Sequence, residues 1–317
     1  MNIILFYIII FAILLGLEFV YFRIADKFNI IDQPNDRSSH QAITLRGGGI
    51  IFYVSIIIFF IISNLTYPYF FVGLTMISLI SFADDLKPQS RLVRLLVHLT
   101  AIVLLFVQWN CIQWQWYYIL FALVFCAGII NAYNFMDGIN GITGFYSIVM
   151  LSALWYVNNF VTVNFVQNSL IYCLMLSIAV FGIFNFRKNA KCFAGDIGSI
   201  SMAFILIFLL GLLIVKTHNI SYIMLLSIYG VDAILTIIHR IILKENIFKP
   251  HRLHIYQMLT NEKKIPHLLV STIYAVLQSI IIFGLLFFSN YALIYSVIVI
   301  ILLSITYYIL IKIMWRM

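Results

Sequence analysis

Charge is what this chain has least of. Of its 317 residues only 9% are Asp, Glu, Lys or Arg, while 64% are hydrophobic, and mean hydropathy is +1.07. No water-soluble domain has that balance. No charged or Pro/Gly-rich interval is long enough to set off a soluble unit, and there is no internal repeat, so residues 1–317 read as one integral-membrane domain. The four cysteines, Cys111, Cys126, Cys173 and Cys192, have neither metal nor redox spacing. Cys126 and Cys173 lie within apolar runs and read as packing residues. The first twenty residues lack a basic start and a small-residue cleavage site, which predicts a retained helix and not a signal peptide.

Long apolar runs are what the chain has in abundance. Eleven are long enough to span a bilayer: 1–22, 47–64, 67–83, 92–108, 116–135, 142–158, 169–186, 200–216, 219–242, 267–288 and 292–311. The predicted fold is therefore all-α, a polytopic membrane protein of about 10–11 transmembrane helices. Alternating spans put loops 23–46, 84–94, 136–141, 187–199 and 243–266 and the C-terminus on one side. Those segments and their flanks hold 18 of the 19 Lys and Arg residues, leaving Lys216 opposite. The bias predicts that side to be cytoplasmic and the N-terminus outside. It also accounts for the net charge of +8 without nucleic acid, and suits anionic lipids and phosphates.

The polar residues form islands on that same side. Asn131, Asn134, Asp137 and Asn140 recur at steps of three, which would put their amides and carboxylate on one helical face. Gly138 and Gly141 beside them permit a turn or a close approach to a ligand. Arg37, His40 and Arg46 precede Gly47-Gly48-Gly49, whose backbone N–H groups open a helix; the set could grip phosphate or face anionic headgroups. Asp84-Asp85 closes the third span, where the helix dipole disfavours negative charge, so the pair points to metal or proton chemistry. Gly195-Asp196-Ile197-Gly198-Ser199 places one acid by a helix start, a magnesium ligand if substrate phosphates complete the shell. His251-Arg252-Leu253-His254 puts two histidines three apart, on one helical face, without the further ligands zinc needs; it reads as a phosphate-gripping set. His98 and His239 read as interface or buried hydrogen-bonding residues. Asp232, eight residues before Arg240, reads as an internal polar contact with it.

Taken together and in order, Asp84-Asp85, the 131–141 island, Gly195–Ser199 and the His251–His254 segment resemble the polyprenyl-phosphate N-acetylhexosamine-1-phosphate transferase superfamily (glycosyltransferase family 4). The early Pro-Asn-x-Arg-Ser-Ser-His, the Arg-Gly-Gly-Gly and the His-Arg-x-His-x-Tyr-Gln segments are most similar to bacterial members that initiate O-antigen or related polysaccharides. The chain departs from the family pattern at Asn140, where Asp is usual, and at Leu45, where Pro is usual.

The resemblance implies a magnesium-dependent phosphotransferase of the EC 2.7.8 type, with manganese as an alternative ion. It would move a sugar 1-phosphate from a UDP-N-acetylsugar to polyprenyl (undecaprenyl) phosphate and release UMP, in a bacterial inner membrane among its lipids, with a homodimer compatible. Under it, Asp196 binds the metal with Asp85 assisting, and Asp84 positions or deprotonates the acceptor. His251, Arg252 and His254 hold diphosphate oxygens; Asn131, Asn134 and Asp137 shape the nucleotide pocket with Asn140, while Arg37, His40 and Arg46 face either substrate. Two other classes compete. A transporter would need acids near the bilayer midplane and paired broken helices, and a CDP-alcohol phosphotransferase would need a D-x-x-D-G motif; neither feature is present.

Overall fold

A computed structural model describes residues 2–33, 43–161, 164–246 and 251–315. Arg37 and His40 lie outside them. Every predicted span is a helix: α1 (Ile3–Lys27), α2 (Ile50–Ile62), α3 (Pro68–Leu86), α4 (Arg91–Gln108), α5 (Trp116–Phe135), α6 (Ile142–Tyr156), α7 (Asn168–Asn185), α8 (Gly195–Thr217), α9 (Ser227–Ile242), α11 (His267–Phe287) and α12 (Ala292–Trp315). A short helix, α10 (Ile255–Asn261), interrupts the loop after α9. Among the described residues nine helical stretches are long and apolar enough to cross a membrane. The 13-residue α2 falls short of the usual span, and α6 gains length from the five-residue wide turn Val157–Val161. The protein is an all-α, polytopic membrane protein.

Burial sorts the helices. In α8 every residue from Ile197 to Leu210 is buried, so it forms the axis of the bundle, packed by α2, α3 and α5. Helix α1 and helix α12 instead turn Ile8, Ile13, Val20, Ile298 and Ile305 outward. In a bilayer such side chains face lipid at no cost, so the apolar moment is weak and burial follows packing instead. On the axis, Phe70 of α3 stacks on Phe208 at 3.9 Å between ring centroids, and Ser78 bonds Ser201 at 2.8 Å. The N-terminus of α8 is approached so closely by the start of α2 that a Cβ on Gly198 would stand 2.6 Å from Gly49 Cα. Only two glycines allow that crossing.

One short two-stranded sheet, β1 (Ile31–Asp32) with antiparallel β2 (Thr44–Leu45), sits at the charged end of the bundle. The chain then runs along the segment before α8. Phe193 N–H donates to Leu45 O at 2.8 Å, Gly48 N–H to Phe193 O at 2.8 Å and Gly49 N–H to Ala194 O at 3.1 Å. Two of the three glycine N–H groups expected to meet phosphate are thus consumed: Gly48 and Gly49 pin the α2 entrance to the α8 entrance.

The loops between spans predict sidedness. With the four native cysteines buried, single cysteines at Lys87, Lys191 and Lys263 should all react with an impermeant thiol reagent from one side of the membrane, and one at Asn164 from the other. Any of the first three sharing a side with Asn164 would break the eleven-span order.

Candidate active site

Asp85 is in the last turn of α3, yet its carboxylate is not left facing that helix's negative end. It reaches the N-terminus of α8, where Oδ1 accepts from Asp196 N–H at 2.9 Å and Oδ2 from Ile197 N–H at 3.0 Å. The side chain of one helix therefore caps another, satisfying orphan N–H groups and meeting the positive end of the dipole. Gly195, at φ +71°, makes the turn, and a Cβ there would lie 2.6 Å from Asp85 Oδ2. Asp85 Oδ1 also receives Arg46 Nε at 2.6 Å. Its side chain is fully buried with both oxygens engaged, so it acts as an anchor.

Arg46 extends from this anchor to Asp196 Oδ1 at 3.4 Å, and Tyr21 OH holds Arg46 O at 2.5 Å. Burial works against the Arg46 charge, but Asp85, Asp196 and Asp32 hold the guanidinium protonated more firmly than usual. Asp84 turns the other way. Its Oδ1 accepts from Gln89 N–H at 2.6 Å and its Oδ2 from Arg94 at 2.5 Å, while Arg94 also lies 3.8 Å from Asp196 Oδ2. Arg94 thus stands against the carboxylates of both Asp84 and Asp196. Three carboxylates meet two guanidiniums. Arg94 escaped the sequence reading. Its signal was a cation in the first turn of α4, where the dipole disfavours it, a few residues beyond two acids.

The 131–141 island is not one helical face. Helix α5 ends at Phe135, so only Asn131 and Asn134 share a face, and Asp137 and Asn140 lie beyond it. Asn131 is exposed and donates back to Ala127 O at 2.8 Å. Asn134 accepts from Ser199 of α8 at 3.2 Å, which ties the island to the Asp196 turn. Asp137 accepts from Thr143 at 2.5 Å. It is partly open to solvent, but the protein around its base withdraws enough water to push its pKa up to about 6, against the Thr143 hydroxyl.

Asn140 is buried and faces the next loop. Its Nδ2 donates to Arg187 O at 2.9 Å and Lys188 O at 3.1 Å. Gly141 N–H meets Asn185 Oδ1 at 2.7 Å, and Asn185 Nδ2 reaches Cys192 O at 2.8 Å. Of the two roles open to Asn140, nucleotide contact or loop shaping, these bonds are the second. Two carbonyls require a donor, which an aspartate lacks.

The histidine segment is extended and not helical, since α10 begins at Ile255. The His251 and His254 rings still lie 4.9 Å apart. Tyr256 OH fastens the segment to Phe135 O at 2.8 Å, beside the Asp137 loop. Burial, then His254 and Arg240, push His251 down to about 4, so it is neutral at pH 7. Asp232 does not pair with Arg240. Arg240 takes Glu245 at 2.9 Å, and Asp232 takes His254 at 3.3 Å.

A helical bundle in the membrane that gathers aspartates and arginines at the head of its central helix defines a class of integral-membrane protein with a charged reaction-type centre. Residues 67–215 match the family model described as glycosyl transferase family 4. The chain is 28% identical to phospho-N-acetylmuramoyl-pentapeptide-transferase of Thermotoga petrophila, over 74% of this chain and 82% of that protein. It is 26% identical to a probable undecaprenyl-phosphate N-acetylglucosaminyl 1-phosphate transferase of Bacillus subtilis (75% and 71% covered). Against the undecaprenyl-phosphate alpha-N-acetylglucosaminyl 1-phosphate transferase of Escherichia coli K12 it is 27% identical (76% and 72% covered). The chain is thus similar, across its central residues 67–215 and over about three quarters of its length, to proteins named as transferases that act on undecaprenyl phosphate or move phospho-N-acetylmuramoyl-pentapeptide.

Two variants test the local readings. Asn140→Asp should lower stability by about 1–3 kcal/mol, because two buried carbonyls lose their donor; an unchanged melting temperature would refute the clasp. A folded-state pKa raised from 3.8 to about 6 at Asp137 favours folding in the protonated form, and that advantage disappears as pH rises through about 6. Asp137→Asn should therefore gain melting temperature over wild type as pH rises from 4.5 to 7, and a constant difference would count against the shift.

Proposed function

We propose that the protein transfers an N-acetylhexosamine 1-phosphate from a UDP-sugar to polyprenyl phosphate, releasing UMP, at the cytoplasmic face of a bacterial inner membrane. The product would begin a lipid-linked envelope glycan such as O-antigen. The observation that carries this reading is the meeting of Asp84, Asp85, Asp196, Arg46 and Arg94 at the N-terminus of α8. The family-model match over residues 67–215 supports the reaction class, and the names of the Bacillus and Escherichia relatives support the acceptor and an N-acetylglucosamine donor. The excess of Lys and Arg on the site's side supports the orientation.

Transfer between two anions demands charge neutralisation and alignment more than a strong base. Arg46 and Arg94 each pair with a carboxylate now and can swing toward phosphate oxygens when substrate arrives. Asp85 keeps Arg46 aligned and holds the α8 entrance rigid while this happens. The acceptor's second phosphate pKa is about 6, so it is largely dianionic at neutral pH, and Asp84 serves to orient it. Asn134 and Asp137 would serve the nucleotide and Arg252 the diphosphate, and the neutral His251 would offer a hydrogen bond in place of a charge.

Magnesium fits the donor set. Asp84 and Asp196 are hard oxygen donors that share Arg94 between them, and a divalent cation would take the guanidinium's place once Arg94 turns to phosphate. Asp85, the partner expected from sequence, is fully buried and accepts three hydrogen bonds, whereas Asp84 accepts two and is 12% exposed, so the proposed pair is Asp196 with Asp84. Among the described residues no cage of three or more acid, His or Cys side chains occurs, which suits an ion that shares its shell with substrate phosphates. When bound, the ion would neutralise developing charge on the diphosphate.

Purified protein should release UMP from at least one of a panel of UDP-N-acetylsugars when given polyprenyl phosphate and magnesium. Asp196→Asn should cut turnover by two or more orders of magnitude while the protein still inserts. Near-normal turnover in that variant would remove Asp196 as a ligand, and no UMP from any donor would overturn the reaction.

A further inference from the structure

Outside the aspartate–arginine cluster, the most completely built polar site surrounds Asp232 on α9. Asp232 is 4% exposed and His254 2%. The Asp232 Oδ1 accepts from Ile255 N–H at 3.2 Å and from Thr236 at 3.2 Å, and lies 3.3 Å from His254 Nδ1. Oδ2 accepts from Tyr274 OH at 2.6 Å. Tyr307 OH in turn lies 3.1 Å from the Thr236 hydroxyl. Two helices, α9 and α11, and the start of α10 thus direct hydrogen-bond donors at one carboxylate, with Tyr307 of α12 behind Thr236. We infer that Asp232 is a positioning residue that holds His254 as its Nδ1–H tautomer and leaves the buried Nε2 as an acceptor turned to a ligand.

Asp232 Oδ1 already accepts from the backbone N–H of Ile255 and Oδ2 from Tyr274 OH, so the carboxylate serves as an acceptor and the ring nitrogen beside it as a further donor. In a neutral imidazole the other nitrogen is then a lone-pair acceptor, and the partner on one nitrogen decides the chemistry of the other. His254 Nε2 is buried and has no hydrogen-bond partner. His251 is set the opposite way: its Nδ1 accepts from Leu253 N–H at 3.4 Å, which puts the proton on Nε2. Two rings 4.9 Å apart then offer one donor and one acceptor. A buried acceptor without a donor is costly, so it calls for a ligand group bearing O–H or N–H. On the proposed function, that group is a hydroxyl or amide N–H of the sugar nucleotide, and anionic oxygens fall to the arginines.

The tautomer can be read without activity. In full-length protein labelled with 15N-histidine in detergent micelles, the His254 signals, assigned by their loss in His254→Gln, should show a protonated Nδ1 and an unprotonated Nε2 at pH 7.5. Asp232→Asn keeps an acceptor for Nδ1–H and should keep that pattern, while Asp232→Ala should release a mixture of tautomers. A protonated Nε2 in wild type overturns the inference, as does an unchanged pattern in Asp232→Ala; if the alanine variant does not fold, the wild-type and Asp232→Asn spectra decide. In turnover, Asp232→Ala should lose at least tenfold in kcat and add nothing to the loss from His254→Gln. Independent, multiplying losses would show that Asp232 does not act through His254. Because the spectra need no substrate, failure of the transfer reaction leaves the tautomer result standing.

Discussion

The carboxylate of Asp85 closes the N-terminus of α8, and the charged end of the molecule depends on that contact. A buried acid on one transmembrane helix is costly to ionise. Here it is offset by two backbone N–H donors, a helix dipole and a guanidinium, all within 3.0 Å. The same contact sets the relative height of α3 and α8, which places Asp84 opposite Asp196. It also draws Arg46 inward, and Arg46 brings with it the strand and glycines that fasten α2. Removing the charge would therefore loosen three helices and not just one ion pair.

Around this anchor the loops are tied to one another by amides and hydroxyls. Asn185 joins the α5–α6 connection to the segment before α8, Asn140 clasps the turn after α7, and Ser271 of α11 accepts the task of holding Asn140 O at 2.7 Å. Neutral groups suit this work near a bilayer surface, because each bond is satisfied without leaving a charge to be neutralised. The charges are reserved for the aspartates and arginines, which trade partners among themselves. Such a cluster is primed for anions: each arginine has a carboxylate to leave and a carboxylate to return to.

How much of this was legible depended on the physical scale. The spans followed from runs of apolar residues, which are a property of the chain read locally. Helix ends were less legible. Helix α8 starts at Gly195, inside what read as a loop, because its orphan N–H groups are capped by a residue 110 positions earlier. The shared face predicted for Asn131 through Asn140 failed for the complementary reason: the chain leaves the helix at Met136 to let Tyr256 bond Phe135 O. Arg94, Thr143 and Asn185 carried little or no motif, and only their partners mark them.

The sequence by itself determined that this is a helical membrane protein with its polar chemistry on one side, since lipid tolerates few charges and no unpaired backbone. Composition and order sufficed for that. Which carboxylate is a structural cap and which faces its neighbour, whether glycine N–H groups are free, and whether Asp232 serves Arg240 or His254 were decided by tertiary structure alone. Adjacent residues such as Asp84 and Asp85 are chemically identical in sequence, and diverge only because α8 meets one of them and Arg94 the other.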